Sequence, residues 1–193
     1  LVFSSTRVNS ISPNDDVLGN QIAQSAKPVY VIGGGKTGMD TAHALISHFP
    51  EKEINLVVGK GTVFLNRDKA FPAGLKRWWA GHTGLHILLD TALRFDGDNE
   101  QETFDHFRKS YGISLDQDHG HYVFGVLSSA ENRVISKGTS AVIKDYVDDV
   151  VDMDGRPRIM FRSGSMREID PGSWFVNCTG YVMRDEHPYE PFL

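Results

Sequence analysis

Apolar residues in this chain fall into short runs separated by polar turns, and the spacing inside each run indicates its element. Val29-Tyr30-Val31-Ile32 is a compact, mostly β-branched block of the kind that forms a buried strand. Three glycines, Gly33, Gly34 and Gly35, follow at once. Ala42, Leu45, Ile46 and Phe49 then recur at i, i+3, i+4 and i+7, one stripe of an amphipathic helix. Pro50 ends that helix, because proline cannot continue the hydrogen-bond ladder. Ile54-Asn55-Leu56-Val57-Val58 is the next strand, closing a βαβ unit of about 30 residues, the usual length of that motif.

The flanking segments read less regularly. Leu1-Val2-Phe3-Ser4-Ser5 is an apolar run that stops in serines, read as the end of a strand begun upstream. Residues 6–27 are polar, with Ser12-Pro13-Asn14-Asp15 as a turn cluster, so residues 1–27 read as a connector from an upstream domain. Residues 62–133 read as a mainly helical insertion. Leu75, Trp78 and Trp79 mark one amphipathic segment, Leu85 to Leu93 another, and Phe104, Phe107 and Tyr111 a further helix face. These apolar side chains form either a satellite core or a face for a domain outside the chain.

The C-terminal third reads as β-rich. Val134-Ile135-Ser136 is predicted as a short strand, followed by Ala141-Val142-Ile143 and by Tyr146 to Val151. Met153-Asp154-Gly155-Arg156 turns the chain into Arg158-Ile159-Met160-Phe161, which Gly164 breaks, an antiparallel hairpin or meander signal. Trp174-Phe175-Val176-Asn177-Cys178 is a buried-type strand running into Thr179-Gly180-Tyr181. Residues 182–193 read as a return segment.

The chemistry concentrates at the first glycines. Gly33, Gly35 and Gly38 satisfy G-x-G-x-x-G between a strand and a helix, the setting in which that spacing binds a dinucleotide. Gly33 allows the tight bend, Gly35 lets backbone approach a pyrophosphate, and Gly38 lets helix and strand pack closely. The phosphates lie at the helix N-terminus, where unpaired N–H groups and the helix dipole favour anions. The fold class that follows is α/β: a Rossmann-like βαβ unit with a parallel sheet, an antiparallel β-meander and a mainly helical insertion, spanning residues 28–181.

The end of the second strand selects the cofactor. An NAD site places Asp or Glu there for the ribose 2′-hydroxyl. Here the strand runs into Gly59-Lys60-Gly61, with Asn66-Arg67 beyond. Cations without a carboxylate suit a 2′-phosphate, so NADP is predicted over NAD, with Lys60 and Arg67 as candidate phosphate ligands.

Composition narrows the class further. A 193-residue chain with 40% hydrophobic residues, 19 Gly and 8 Pro suits one globular domain carrying an insertion. It is long enough to bury roughly 70% of the surface its unfolded chain exposes. A net charge of −5 and a pI near 5.9 give no electrostatic footprint for nucleic acid or an anionic membrane. No apolar run approaches the ~18 residues of a spanning helix. The single cysteine, Cys178, excludes an intrachain disulfide and a Cys-x-x-Cys pair. A cytoplasmic setting is the expectation.

A turn reading G-G-G-K-T-G-M-D, a basic end to the second strand, a β-meander and a strand ending N-C-T-G-Y occur in that order. The set resembles the NADPH-binding domain of two-dinucleotide flavoproteins, and most closely the flavin-containing and Baeyer–Villiger-type monooxygenases. That family's turn commonly reads G-x-G-x-S-G-x-D, with Thr37 here in place of Ser and Asp40 retained. Its strand leading back to the FAD domain ends in A-T-G-Y, with Cys178 here in place of Ala. The resemblance covers about residues 1–5, 28–61 and 134–181. It implies NADPH docked on Gly33, Gly34, Gly35, Lys36, Thr37 and Gly38, with Asp40, Thr179 and Gly180 nearby. It also implies hydride delivery to FAD, and a small-molecule substrate handled by the FAD-binding remainder of the parent protein. The chain holds no second G-x-G-x-x-G for FAD, so it reads as part of a larger flavoprotein, inactive alone. A non-enzymatic nucleotide-binding regulatory module and a flavin-independent NAD(P) dehydrogenase are the alternatives.

Other motifs carry less. Gly35-Lys36-Thr37 resembles a P-loop tail, but Tyr30 stands where its first glycine belongs. Lys36 is therefore a solvated helix-start residue or a pyrophosphate neighbour, and Asp40 a first-turn charge or a cofactor neighbour. Cys178 packs as a small hydrophobe. His82, His86 and Asp90 share helical spacing, and Asp116, Asp118, His119 and His121 share a loop. Neither set matches a ligand frame, so no metal site and no catalytic set is predicted.

Overall fold

The computed structural model describes residues 2–15, 20–79, 83–115 and 121–180. In chain order its strands are β1 (Asn9–Ile11), β2 (Val29–Ile32), β3 (Ile54–Val57), β4 (Thr62–Asn66), β5 (Gly112–Ile113), β6 (His121–Leu127), β7 (Ala141–Ile143), β8 (Val147–Met153), β9 (Arg156–Phe161), β10 (Met166–Glu168) and β11 (Trp174–Asn177). Its helices are α1 (Asn20–Gln24), α2 (Lys36–His48), α3 (Arg67–Ala70), α4 (Lys76–Trp79), α5 (Gly84–Arg94), α6 (Glu100–Ser110) and α7 (Ser129–Gly138).

The centre is a five-stranded parallel sheet in the order β1-β11-β2-β3-β7. Its inner strands β2, β3 and β11 are largely apolar on both faces because both are covered. Val29 and Val31 face one side with Ile54, Leu56 and Val176. There they pack against Met39, Ala42, Leu45 and Ile46 of α2 and Ile135 of α7. Tyr30, Ile32, Val57 and Phe175 face the other side, against Val150, Ile159 and Phe161 of an antiparallel meander, β8-β9-β10. The Tyr30 ring stacks on Phe175 at 5.1 Å, and Phe3 meets Phe175 edge-on at 4.9 Å. This is the α/β, Rossmann-like class read from the sequence. The Asp154-Gly155 turn of the meander has positive φ at both residues, 53° and 78°, as a two-residue type I′ hairpin requires.

Three segments differ from their sequence reading. Residues 2–5 form no strand; they dock on β8 through Ser5 N–H to the Val150 carbonyl (2.6 Å) and Ser4 N–H to Asp149 Oδ1 (2.9 Å). The segment read as a connector instead supplies β1, paired in parallel with β11, and α1, whose Ile22 is fully buried in the core. Val134-Ile135-Ser136 lies inside α7 and not in a strand. Ser128 Oγ accepts from Glu131 N–H at 3.2 Å while Glu131 Oε2 accepts from Ser128 N–H at 2.8 Å, a capping box that starts a helix. Ile135 then packs against α2 with no exposure.

The insertion contains helices and a three-stranded sheet, β5-β4-β6. Ala70, Ile87 and Tyr111 form a satellite core with Leu65 and Phe107 packed on it. That core leaves Trp78 and Trp79 exposed, along with Leu85, Leu88, Leu89 and Leu93 of α5. The predicted amphipathic helix therefore buries Ile87 and turns its leucine stripe outward. No helix among the described residues is long and apolar enough to cross a membrane.

Candidate functional site

The parallel sheet reverses direction at β2. From there β3 and β7 build outward on one side, and β11 and β1 lie on the other. In open α/β sheets ligands bind outside the carboxyl ends of the strands at such a reversal. The glycine turn leaving β2 and the Cys178-Thr179 segment leaving β11 meet there. A Cβ on Gly33 would lie 2.7 Å from the Cys178 carbonyl oxygen and 3.2 Å from Thr179 N. Gly33 has φ of 122°, and its N–H donates to the Val57 carbonyl at 2.8 Å.

Four glycines of this turn differ in what surrounds them. On Gly34 a Cβ would sit 2.8 Å from the Val58 carbonyl oxygen, and on Gly38 1.9 Å from that of Gly33. On Gly35 it would meet nothing within 4 Å. Gly35 is the N-cap of α2, makes no side-chain cap bond, and no acidic residue occupies the first helical turn. Open space therefore lies beside Gly35 at the N-terminus of α2, where the first N–H groups have no intrahelical partner and the helix dipole is positive. The residues present fit a phosphate group, since the cradle offers donors and the space that a Cβ would take.

The predicted charged ligands divide into two groups. Gly59, Lys60 and Gly61 form a turn at the end of β3, with φ of 60° and 82° at the glycines and Lys60 exposed. A small, mainly apolar hollow lies between that turn and the first, walled by Met39, Val58, Phe64 and Leu115 and edged by Gly34 and Lys144. Arg67 and Lys36 converge elsewhere, on Glu131. Arg67 Nη1 lies 3.3 Å from Glu131 Oε2 and Lys36 Nζ 3.7 Å from Oε1, while Lys36 also pairs with Asp40. Burial works against ionisation of Glu131, but Ser128 hydrogen bonds and the two cations hold its carboxyl below the usual carboxylate range. Thr37 is exposed beside Gly38. Thr179 donates from N and Oγ1 to Asn177 Oδ1, at 3.2 and 2.8 Å, and Gly180 has φ of 72°.

Two residues beside the glycine turn were not singled out from the sequence: Glu131, which pairs with Lys36, and Lys144, which edges the hollow. The spacing Ser128-x-x-Glu131 was a readable signal for the first. For Lys144 the only signal is a cation directly after an apolar strand. Cys178 is buried against α2, with Sγ 3.4 Å from Thr41 Oγ1. Burial pushes its thiol up, only partly offset by the Thr41 contact, which is the opposite of nucleophile activation. Asp90 accepts from His106 Nε2 at 2.7 Å and from the Tyr111 hydroxyl at 2.9 Å, ties that join α5 to α6. His82, Asp116, Asp118 and His119 lie outside the described residues. Among the described residues no group of three or more His, Cys, Asp or Glu is placed to hold a metal ion.

No protein-family model matches the chain, and no curated protein matches it by sequence. Similarity is found to solved structures. An ornithine N-hydroxylase of Kutzneria sp. 744, solved with reduced FAD, NADP+ and L-ornithine, superposes with a TM-score of 0.39 and 13% identity over 80% of this chain and 35% of that one. L-lysine 6-monooxygenase from Pseudomonas syringae gives 0.38 and 14% over 82% and 36%. The tetracycline destructase Tet(55) gives 0.32 and 12% over 80% and 38%. The chain thus spans little more than a third of the length of each structure.

Proposed function

We propose that this chain binds NADP(H) as the nicotinamide-nucleotide domain of an FAD-dependent oxidoreductase of the monooxygenase type. The contrast among the turn glycines carries the reading. Gly33, Gly34 and Gly38 lack side chains because protein atoms occupy the space, whereas Gly35 lacks one although no protein atom does. A pyrophosphate on the α2 N-terminus accounts for that vacancy of purpose. The residues proposed to hold the cofactor are Gly33, Gly34, Gly35, Lys36, Thr37 and Gly38 at the pyrophosphate, Thr179 and Gly180 beside it, and Lys60 toward the adenosine 2′-phosphate. Asp40 fixes Lys36, and Arg67 joins the site only by leaving Glu131.

The flavin half of the proposal rests on the resemblance of the glycine turn and of Cys178-Thr179-Gly180-Tyr181 to the flavoprotein monooxygenases. Residues 28–181 form the nucleotide domain in this reading, and FAD and the substrate belong to the remainder of the parent protein. Bound NADPH supplies hydride and flavin the oxygen chemistry; this chain's residues bind and orient the dinucleotide. In a thermal-shift titration NADPH is expected to raise the unfolding temperature more than NADH. Equal shifts, or none, would remove the NADP assignment. A full-length protein without flavin absorbance would remove the flavin half and leave a nucleotide-binding module.

A further inference from the structure

We propose that the outward face of α5 docks on the same face of a second copy of this chain, the two helices lying antiparallel across a twofold axis. The face belongs to the insertion, and its occupant is independent of what the glycine turn binds.

Apolar exposure is concentrated there. Fifteen large apolar side chains are exposed among the described residues, and nine of them fall within residues 71–95. Single exposed apolar residues are ordinary, but a cluster of this kind marks a contact surface. In α5, Leu85, Leu88, Leu89, Ala92 and Leu93 follow i, i+3, i+4, i+7 and i+8, the spacing that lets two helices interdigitate. Ile87 points the other way, into the satellite core with Ala70 and Tyr111. A helix apolar on both faces belongs in an interior, and the chain's own described residues cover one face of this one.

The area is that of a dimer interface. Trp78 and Trp79 are 77% and 72% exposed, and at about 200 Å² per indole side chain they offer roughly 300 Å² between them. Seven further apolar side chains of residues 71–95 are at least half exposed. Together they reach the ~800 Å² per partner of a standard interface, well above the few hundred Å² that a monomer ordinarily leaves as a patch.

Opposite charge at the two ends of the stripe selects the occupant. Residues 69–79 hold Lys69, Lys76 and Arg77 and no carboxylate, whereas residues 96–105 hold five carboxylates and no cation. The basic segment enters at the α5 N-terminus, where a Cβ on Gly84 would lie 3.8 Å from the Phe71 ring. The acidic segment leaves the α5 C-terminus through a turn in which Asp96 Oδ1 accepts from the Asp98 and Asn99 N–H groups, each at 3.0 Å. Lys76, Arg77, Asp98, Glu100 and Glu102 are exposed, and the nearby Arg94–Asp90 and Arg108–Asp105 pairs engage other groups. Antiparallel twofold pairing brings the basic end of each copy to the acidic end of the other and sets the helix dipoles head to tail. An anionic lipid surface would attract the basic end alone and repel the acidic one.

The test is sedimentation equilibrium of the chain at about 1–100 μM, where a standard-size interface of modest affinity dissociates. A monomer–dimer equilibrium is expected. Leu88→Glu and Leu93→Glu, both at exposed positions, are expected to weaken it at least tenfold with unfolding temperatures near the parent's. The reversals Lys76→Glu/Arg77→Glu and Asp98→Lys/Glu100→Lys should each weaken self-association. Mixing those two proteins should restore a dimer, because both of its ends are then complementary. A monomer throughout the range overturns the proposal, and flotation of that monomer with phosphatidylcholine–phosphatidylserine vesicles would assign the face to lipid. A dimer that tolerates both leucine variants overturns it by placing the contact elsewhere. Reversals that fail to rescue each other, or growth beyond the dimer, overturn the antiparallel pairing.

Discussion

Gly38 and Gly33 are in backbone contact: a Cβ on Gly38 would stand 1.9 Å from the Gly33 carbonyl oxygen. No rotamer change relieves that clash, since the opposing atom is main chain. Gly38→Ala must push α2 off the sheet, and a cost of about 1–3 kcal/mol or more is expected. Urea unfolding followed by circular dichroism measures it. A midpoint equal to the unaltered protein's would show that α2 does not press on the turn.

Gly35→Ala tests the pyrophosphate placement proposed for the glycine turn. Gly35 has φ of −80° and space for a methyl group, so the loss should be no more than about 1 kcal/mol, the N-cap preference for Gly over Ala. NADPH binding should fall at least tenfold, because the methyl group occupies the phosphate cradle. Retained binding in a stable Gly35→Ala protein would contradict the pyrophosphate placement.

Glu131 ties α7 to both Lys36 and Arg67. Its carboxyl titrates lower in the folded protein than its ordinary value of 4.5, so ionisation stabilises the fold. That contribution is complete above about pH 4.5 and disappears as pH falls through the lower folded value. Glu131→Gln is therefore expected to lose roughly 1 kcal/mol at pH 7 and to converge with the parent once pH has fallen below the folded value. A stability gap independent of pH would assign the loss to packing instead of charge.

Cys178 should resist thiol reagents in the folded state. Its sulfur is buried and its thiol raised by that burial, so labelling at pH 8 should be orders of magnitude slower in buffer than in denaturing urea. Fast labelling without denaturant would mean that the β11 exit opens readily.

The segment from Val29 to Val57 was legible because everything that specifies it is local: a β-branched run, glycine punctuation, a 3.6-residue stripe and a proline stop. β1 was not, because Asn9-Ser10-Ile11 has one apolar residue and becomes a strand only through pairing with Trp174, Phe175 and Val176. Val134 and Ile135 favour strands by propensity, yet the capping box at Ser128 and burial against α2 override that preference. Periodicity in α5 showed that one face is apolar but not which way the helix turns it. At the site, the glycines could be placed from spacing alone. The engagement of Arg67 with Glu131, 64 residues away in sequence, and the approach of β7 to β3 depend on the assembled sheet.

The wall behind Gly33 is the backbone of Cys178 and Thr179, which gives the glycine turn a mechanical neighbour. Displacement of the chain at Gly180 is expected to reach the glycine turn through that wall. The Gly33 amide, hydrogen-bonded to Val57, is the reporter. Ending the chain after Cys178 should speed its hydrogen exchange while the amides of β2 and β3 keep their protection.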